Sequence, residues 1–323
     1  MKTTKNFYDE DYIPHRTPIK ATGVNLNNPC EIYGYLMQNV YKQDAYCKKA
    51  AMLLFNHIKG RRSRIIVAGP PGSGKTLVAE NIKKLWPKTI IVNAATLTKE
   101  GFVGENKVST FLEQVKPSED DYIIVFDEFD KLVAPSYSRG ENVSASIQSE
   151  FLKLVEGDDV ACGLKERRRY VSTANMSFIF CGSFAVMAKE MAEKNSVKTI
   201  GFLAEEHIEN AFDKELTMDD IIEFGLIPEI ASRCTDIINV RPLTLKDYEF
   251  LLTDHPASPL SKIEEEYQVK IKITKKQLKA IAKEAYESQL GVRYAASKLR
   301  RMVDSEIFSS FEKTGEDIAF ISI

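Results

Sequence analysis

Five cysteines are too few and too scattered to build a zinc ribbon or a disulfide framework. Cys30, Cys47, Cys162, Cys181 and Cys234 never form a C-x-x-C pair, and His15, His57, His207 and His255 are equally dispersed. No run reaches the roughly 18 apolar residues of a membrane span. The amino terminus, MKTTKNFYDEDYIPHRTP, lacks the apolar stretch of a secretory signal. Neither charge sign prevails: 44 basic against 46 acidic side chains leave a net charge of -2, which gives no global attraction to nucleic acid or to an anionic membrane. Internal repeats and long low-complexity stretches are missing too. These absences lead to the expectation of a reduced, intracellular, soluble protein without zinc.

What is present is 323 residues, 44% hydrophobic and 28% charged, an ordinary globular composition and enough chain for about two domains. Residues 1 to about 29 are rich in Asn, Thr, Pro and charge without a period, and read as an arm. Cys47, Ala51, Leu54, Phe55 and Ile58 then occupy one helix face. Short apolar runs follow at 64–68, 89–92, 122–126 and 178–181, rich in β-branched and aromatic residues and separated by helical stretches such as the Ile147, Phe151, Leu154, Val155 face. Continuous apolar strands alternating with helices predict an α/β fold with a parallel sheet covered on both sides. Past Arg241-Pro242 the text becomes Lys/Glu-rich and helical, with stripes through Leu278, Ile281, Ala282, Ala285 and through Leu299, Met302, Val303, Ile307; residues 318–321 could form a strand. The predicted organisation is an arm over 1–39, a large domain over 40–242 and a smaller, mainly helical domain over 243–323.

Gly69-Pro70-Pro71-Gly72-Ser73-Gly74-Lys75-Thr76 fits G-x-x-x-x-G-K-[ST], with a strand before it and a helix, from Leu77 to Leu85, after it. Glycines let backbone amides converge on phosphate oxygens at the positive end of a helix dipole. Lys75 can reach the terminal phosphates and the Thr76 hydroxyl can ligate Mg²⁺. The strand over 123–126 ends in Asp127-Glu128. Two carboxylates at the end of a buried strand are costly unless something binds there. Downstream of a phosphate loop their roles separate: Asp127 holds Mg²⁺, partly through water, and Glu128 polarises the attacking water. ATP and Mg²⁺ are the expected cofactors, and ATP hydrolysis the expected reaction.

Several P-loop classes satisfy those two motifs. Beyond them the chain resembles the ClpX family, AAA+ unfoldases of the Clp protease, from about Val40 to the end of the second domain. Val40-Tyr41-Lys42-Gln43 is similar to the segment that contacts adenine there, and IIVFDEFDKL (123–132) to its Walker B stretch. FIFCGSFA (178–185) resembles the first sensor, placing Ser183 near the nucleotide. FGLIPEIASR (224–233) resembles the arginine-finger segment, and Gly291-Val292-Arg293 stands where the family has Gly-Ala-Arg, its second sensor. The resemblance implies that Arg233 acts on a neighbouring subunit's ATP in a ring of six, and that Arg293 ties the small domain to its own nucleotide. A guanidinium suits the charge that develops on a transferring phosphoryl group; outside this motif setting each arginine would read as a surface ion pair.

Three further segments carry the resemblance. Gly101-Phe102-Val103-Gly104 stands where the family has an aromatic–hydrophobic pair on a channel loop, implying that Phe102 and Val103 grip substrate polypeptide; an anchoring role for Phe102 in the core is the plainer alternative. Arg139 sits where a second channel loop would lie, and the basic run 165–169 where the family has a loop at the channel entrance. Ile200-Gly201-Phe202 matches the tripeptide that docks on the Clp peptidase, against a core-facing loop as the alternative. The family's amino-terminal zinc domain has no counterpart in 1–39. The resemblance therefore implies a homo-hexameric, ATP-driven unfoldase that threads unfolded or tagged proteins into a Clp-type peptidase in the cytoplasm. A stand-alone protein remodeller and a DNA motor or clamp loader share the fold and stay as alternatives; neither membrane nor nucleic acid is an expected partner.

Overall fold

The computed structural model describes residues 21–97, 108–117, 119–138, 141–163, 168–196, 214–255, 258–288, 290–314 and 320–322. The first element is α1 (Pro29–Asn39), opened by Pro29 at its first turn and capped by the Asn28 side chain, which accepts from the Cys30 amide. Residues 29–39 were expected to belong to an arm. Ile32, Tyr35 and Leu36 instead form a stripe buried against α2 (Asp44–Ile58), so the ordered large unit begins earlier than the sequence suggests.

A central sheet follows from β1 (Arg64–Ala68), β2 (Thr89–Asn93) and β3 (Ile123–Asp127), with α3 (Lys75–Leu85) after β1 and the short α4 (Asp130–Val133) after β3. Two antiparallel hairpins flank α5 (Val143–Glu156): β4 (Tyr137–Ser138) with β5 (Glu141–Asn142), and β6 (Asp159–Cys162) with β7 (Arg169–Ser172). The sheet is completed by β8 (Ser177–Gly182), α6 (Ala185–Ser196), α7 (Met218–Phe224), α8 (Pro228–Arg233) and β9 (Asp236–Asn239). Strand order is β2-β3-β8-β1-β9, and every pair is parallel.

Side chains alternate across the pleat, so each strand feeds two cores. Ile65, Val67, Ile123, Val125, Ile179 and Cys181 face α1, α2 and α3. Ile66, Ile124, Phe126, Phe178 and Phe180 face α5, α7 and α8. The latter face is an aromatic stack, with Phe126 5.7 Å from Phe180 and 4.7 Å from Phe151 between ring centroids. Phe126 is fully buried, and truncating such a side chain to alanine costs about 3–5 kcal/mol. This double coverage is what continuous apolar strands require.

The small domain comprises α9 (Leu245–Thr253), α10 (Pro259–Tyr267), β10 (Lys270–Lys272), α11 (Lys275–Glu287), α12 (Val292–Thr314) and β11 (Phe320–Ser322), the last pairing parallel with β10. Leu278, Ile281, Ala282 and Ala285 of α11 meet Leu299 and Val303 of α12 in a third, separate core. All five cysteines are free.

Candidate nucleotide site

The parallel strands deliver the motif residues to one edge of the sheet. The loop 69–74 leaves the end of β1, Asp127 ends β3, and Ser183 follows β8. Ligands of open parallel sheets bind at this carboxyl edge.

Gly74 caps α3 from the left-handed region, φ 93°, and Gly72 lies there too, φ 73°; only glycine takes both positions without strain. Ser73 Oγ donates to the Pro70 carbonyl at 2.7 Å, closing the loop on itself. Lys75, 8% exposed, donates from Nζ to the carbonyls of Gly69 (2.7 Å) and Pro70 (2.8 Å). Burial pushes the Lys75 pKa down, while Cys181 and the Asp127 and Asp130 carboxylates pull it up. A buried cation at a helix amino terminus suits an anion of high charge density.

Thr76 Oγ1 donates to Asp127 Oδ2 at 2.7 Å, joining the two motifs across 51 residues. Asp127 Oδ1 accepts the Glu128 amide at 3.0 Å. Glu128 is exposed and held at φ 58°, a left-handed conformation uncommon outside glycine, of the kind that clusters at active sites. The next turn is pinned by Phe129 N to Cys181 O at 2.8 Å. Asp130, buried, accepts from the Ser183 amide (3.0 Å) and Ser183 Oγ (2.9 Å). Ser183 is thus held by Asp130, a residue no sequence motif singled out although it lies within the same FDEFD run.

A cavity of about 620 Å³ joins these groups to the small domain. Val40, Tyr41, Pro71, Gly72, Ser73, Gly74, Lys75, Thr76, Leu77, Asp127, Glu128, Ser183 and Arg293 all line it. So do Asp130, Leu251, His255, Lys262 and Arg300, which sequence motifs did not single out. Arg293 Nη2 lies 3.5 Å from Thr76 Oγ1, and a Cβ on Gly72 would meet Gly291 Cα at 2.6 Å. The two domains touch here backbone to backbone. Lys75 and Arg293 with the loop amides, the Thr76–Asp127 pair and apolar Val40 and Leu251 in one lining fit a nucleoside triphosphate with a divalent cation.

Arg233 does not line this cavity. It is half-exposed, pairs with Glu156 at 2.9 Å, and precedes β9 where Thr235 N donates to Arg64 O at the start of β1. That is the far end of the sheet from the chain's own phosphate loop, about 15 Å along a five-residue strand. In the basic run, the Arg169 guanidinium donates to the carbonyls of Leu112, Glu113 and Val115. Phe102, Val103, Arg139, Ile200, Gly201 and Phe202 lie outside the described residues. Among the described residues no helix is long and apolar enough to cross a membrane.

The family model AAA, "ATPase family associated with various cellular activities", matches residues 65–201. The chain is also 27% identical, over 339 aligned residues, to the "ATP-dependent Clp protease ATP-binding subunit ClpX" of Treponema denticola; the match covers 91% of this chain and 79% of that protein.

Proposed function

We propose that the chain, which matches the AAA model over residues 65–201 and is similar to ClpX, is an ATP-hydrolysing protein unfoldase that works as a cytoplasmic ring of six and threads polypeptide into a Clp-type peptidase. The observation that carries the ATPase half is the meeting of Thr76, Asp127 and Arg293 on one cavity.

In this reading Lys75 and the loop amides hold the phosphates, and Thr76 and Asp127 hold Mg²⁺. The metal, when bound, neutralises charge on the phosphate oxygens. Glu128, exposed at the cavity, accepts a proton from the attacking water. Arg293 reports phosphate occupancy to the small domain. Arg233, facing away from its own site, serves the next subunit. Val40 and Tyr41 take the base.

The polypeptide half rests on sequence. Phe102 and Val103 grip the chain being moved, with Arg139 on a second loop, and Ile200-Gly201-Phe202 docks on the peptidase. The test is a deletion of residues 200–202. ATPase activity and unfolding of a tagged fluorescent protein should persist while degradation by the host's Clp peptidase is lost. Degradation at the undeleted rate would remove Ile200-Gly201-Phe202 from the docking role, and unfolding without degradation by the undeleted chain would replace this reading with a stand-alone remodeller. Phe102→Ala should keep hydrolysis and lose unfolding; unfolding at the parent rate would remove Phe102 from the channel.

A further inference from the structure

Asp247 is the third residue of α9, and its two carboxylate oxygens do different things. Oδ2 accepts from the Thr244 amide and Thr244 Oγ1, both at 2.9 Å, closing a capping box at the start of the helix. Capping needs only that oxygen. Oδ1 faces the other domain, where it receives Lys42 Nζ at 2.6 Å and the Tyr41 hydroxyl at 3.2 Å. Next along the chain, Gln43 Nε2 donates to the Arg241 carbonyl at 3.2 Å. Tyr41 and Lys42 of the large domain therefore hold α9 itself, and Gln43 holds the chain that leads into it.

Neighbouring side chains of an extended segment ordinarily point apart. Here Lys42 sits at φ 57°, and with that left-handed turn Tyr41 and Lys42 reach the same oxygen. The Tyr41 ring also packs 4.9 Å from Phe250 of α9 and edge-on to His255, 5.7 Å away, just beyond that helix. The Asp247 side chain is 5% exposed and that of Lys42 54%. A carboxylate that buried is stable only while it is paired, so Asp247 depends on the Tyr41–Lys42 segment as much as it orders it.

We propose that Asp247 is a positioning residue for nucleotide: from the small domain it fixes Tyr41 and Lys42 at the base end of the cavity, making base binding and small-domain docking one event. The inference rests on the reading of 40–43 as the base-contacting segment. By linkage, whatever loosens this clasp weakens nucleotide binding, and bound nucleotide tightens the clasp.

The test is a double-mutant cycle on the full chain with Lys42→Met, Asp247→Asn and the pair, with Lys42→Arg as the conservative rescue and Tyr41→Ala as the control for the base-contact reading. ADP dissociation constants and ATP KM and kcat are measured for each. Lys42→Met and Asp247→Asn should each raise the ADP dissociation constant and the ATP KM about fivefold or more, with kcat within about twofold. The pair should be no worse than either single change by more than about twofold, and Lys42→Arg should restore binding. Lys42 is exposed, so Lys42→Met carries the test even where Asp247→Asn costs the small domain its fold. Unchanged ADP binding in Lys42→Met, or single effects that multiply in the pair, overturns the proposal. If Tyr41→Ala weakens ADP binding and Lys42→Met does not, the clasp alone fails; if Tyr41→Ala also binds ADP normally, the base-contact reading fails with it.

Discussion

Thr76 and Asp127 are hydrogen-bonded, Oγ1 to Oδ2 at 2.7 Å, which sets a hydroxyl from the phosphate loop and a carboxylate from the neighbouring motif at one point. Glu128, the next residue, sits in a left-handed backbone conformation and is exposed at the cavity. In the proposed reading the adjacent carboxylates divide into a metal-holding and a water-facing group.

Glu128→Gln should therefore bind ATP with near-normal affinity and lose turnover by about 10²–10⁴, the usual contribution of a positioned general base. Equilibrium ATP binding and steady-state phosphate release check this. Asp127→Asn should instead lose Mg²⁺-dependent affinity. Equal phenotypes for the two variants would contradict the separation.

The phosphate end of this site was legible in the sequence because Gly69 to Thr76 and Asp127-Glu128 are contiguous motifs fixed to strand ends. The small-domain side was not. Leu251, His255 and Lys262 come from different turns and reach the cavity only through tertiary packing, as Asp247 reaches Tyr41 and Lys42, so no local spacing announces them. Asp130 escaped for the same reason, since its partner Ser183 is 53 residues away. In the fold, β9 was missed because Ile237 and Ile238 are its only apolar residues and it forms an edge. The α1 stripe of Ile32, Tyr35 and Leu36 is short, interrupted by Gly34 and surrounded by polar residues, which made it read as part of an arm.

Gly72 and Gly291 meet at φ 73° and φ 76°, and a Cβ on Gly291 would stand 2.7 Å from Gly72 Cα. Gly291→Ala thus adds about 1–2 kcal/mol of left-handed strain and wedges the domains apart two residues before Arg293. A displacement of about 1 Å at a reacting centre can cost about 10²-fold. The variant should melt near the parent temperature while kcat falls by that order. Parent-like kcat would show that the glycine contact does not position Arg293.

His57 links the opposite end of the sheet to its surroundings. Its Nε2 donates to the Asp121 carbonyl at 3.0 Å, and Ser177 Oγ, which accepts from the Ser63 amide, donates to Nδ1 at 3.0 Å. This network suits the neutral Nε2–H tautomer, and burial pushes the His57 pKa below 6.5 despite the Asp121 contacts. The unfolded chain then binds the proton more readily than the folded one. This contribution to stability is complete above about pH 6.5 and is lost as pH falls toward the depressed folded value. Urea midpoints for the parent should drop between pH 7.5 and 5.5 more steeply than those for His57→Gln; parallel slopes would exclude the linkage.

Arg233 offers a test that separates neighbours from self. It pairs with Glu156 at the end of the sheet away from the cavity, so its own site lies beyond reach of its side chain. A finger of this kind contributes about 10³–10⁵ in turnover, and Arg233→Ala should lose activity on that scale. Glu128→Gln should be equally inactive for an unrelated reason. In a mixture of the two variants, a site with an intact Glu128 is met by an intact Arg233 wherever unlike subunits adjoin in the required order. Mixing should then restore measurable hydrolysis that neither variant shows alone, in proportion to the fraction of such junctions. Restoration is impossible if Arg233 serves its own subunit, because every chain in the mixture carries one broken group. A mixture as inactive as its components, under conditions where the parent assembles, would return Arg233 to the role of a surface partner for Glu156.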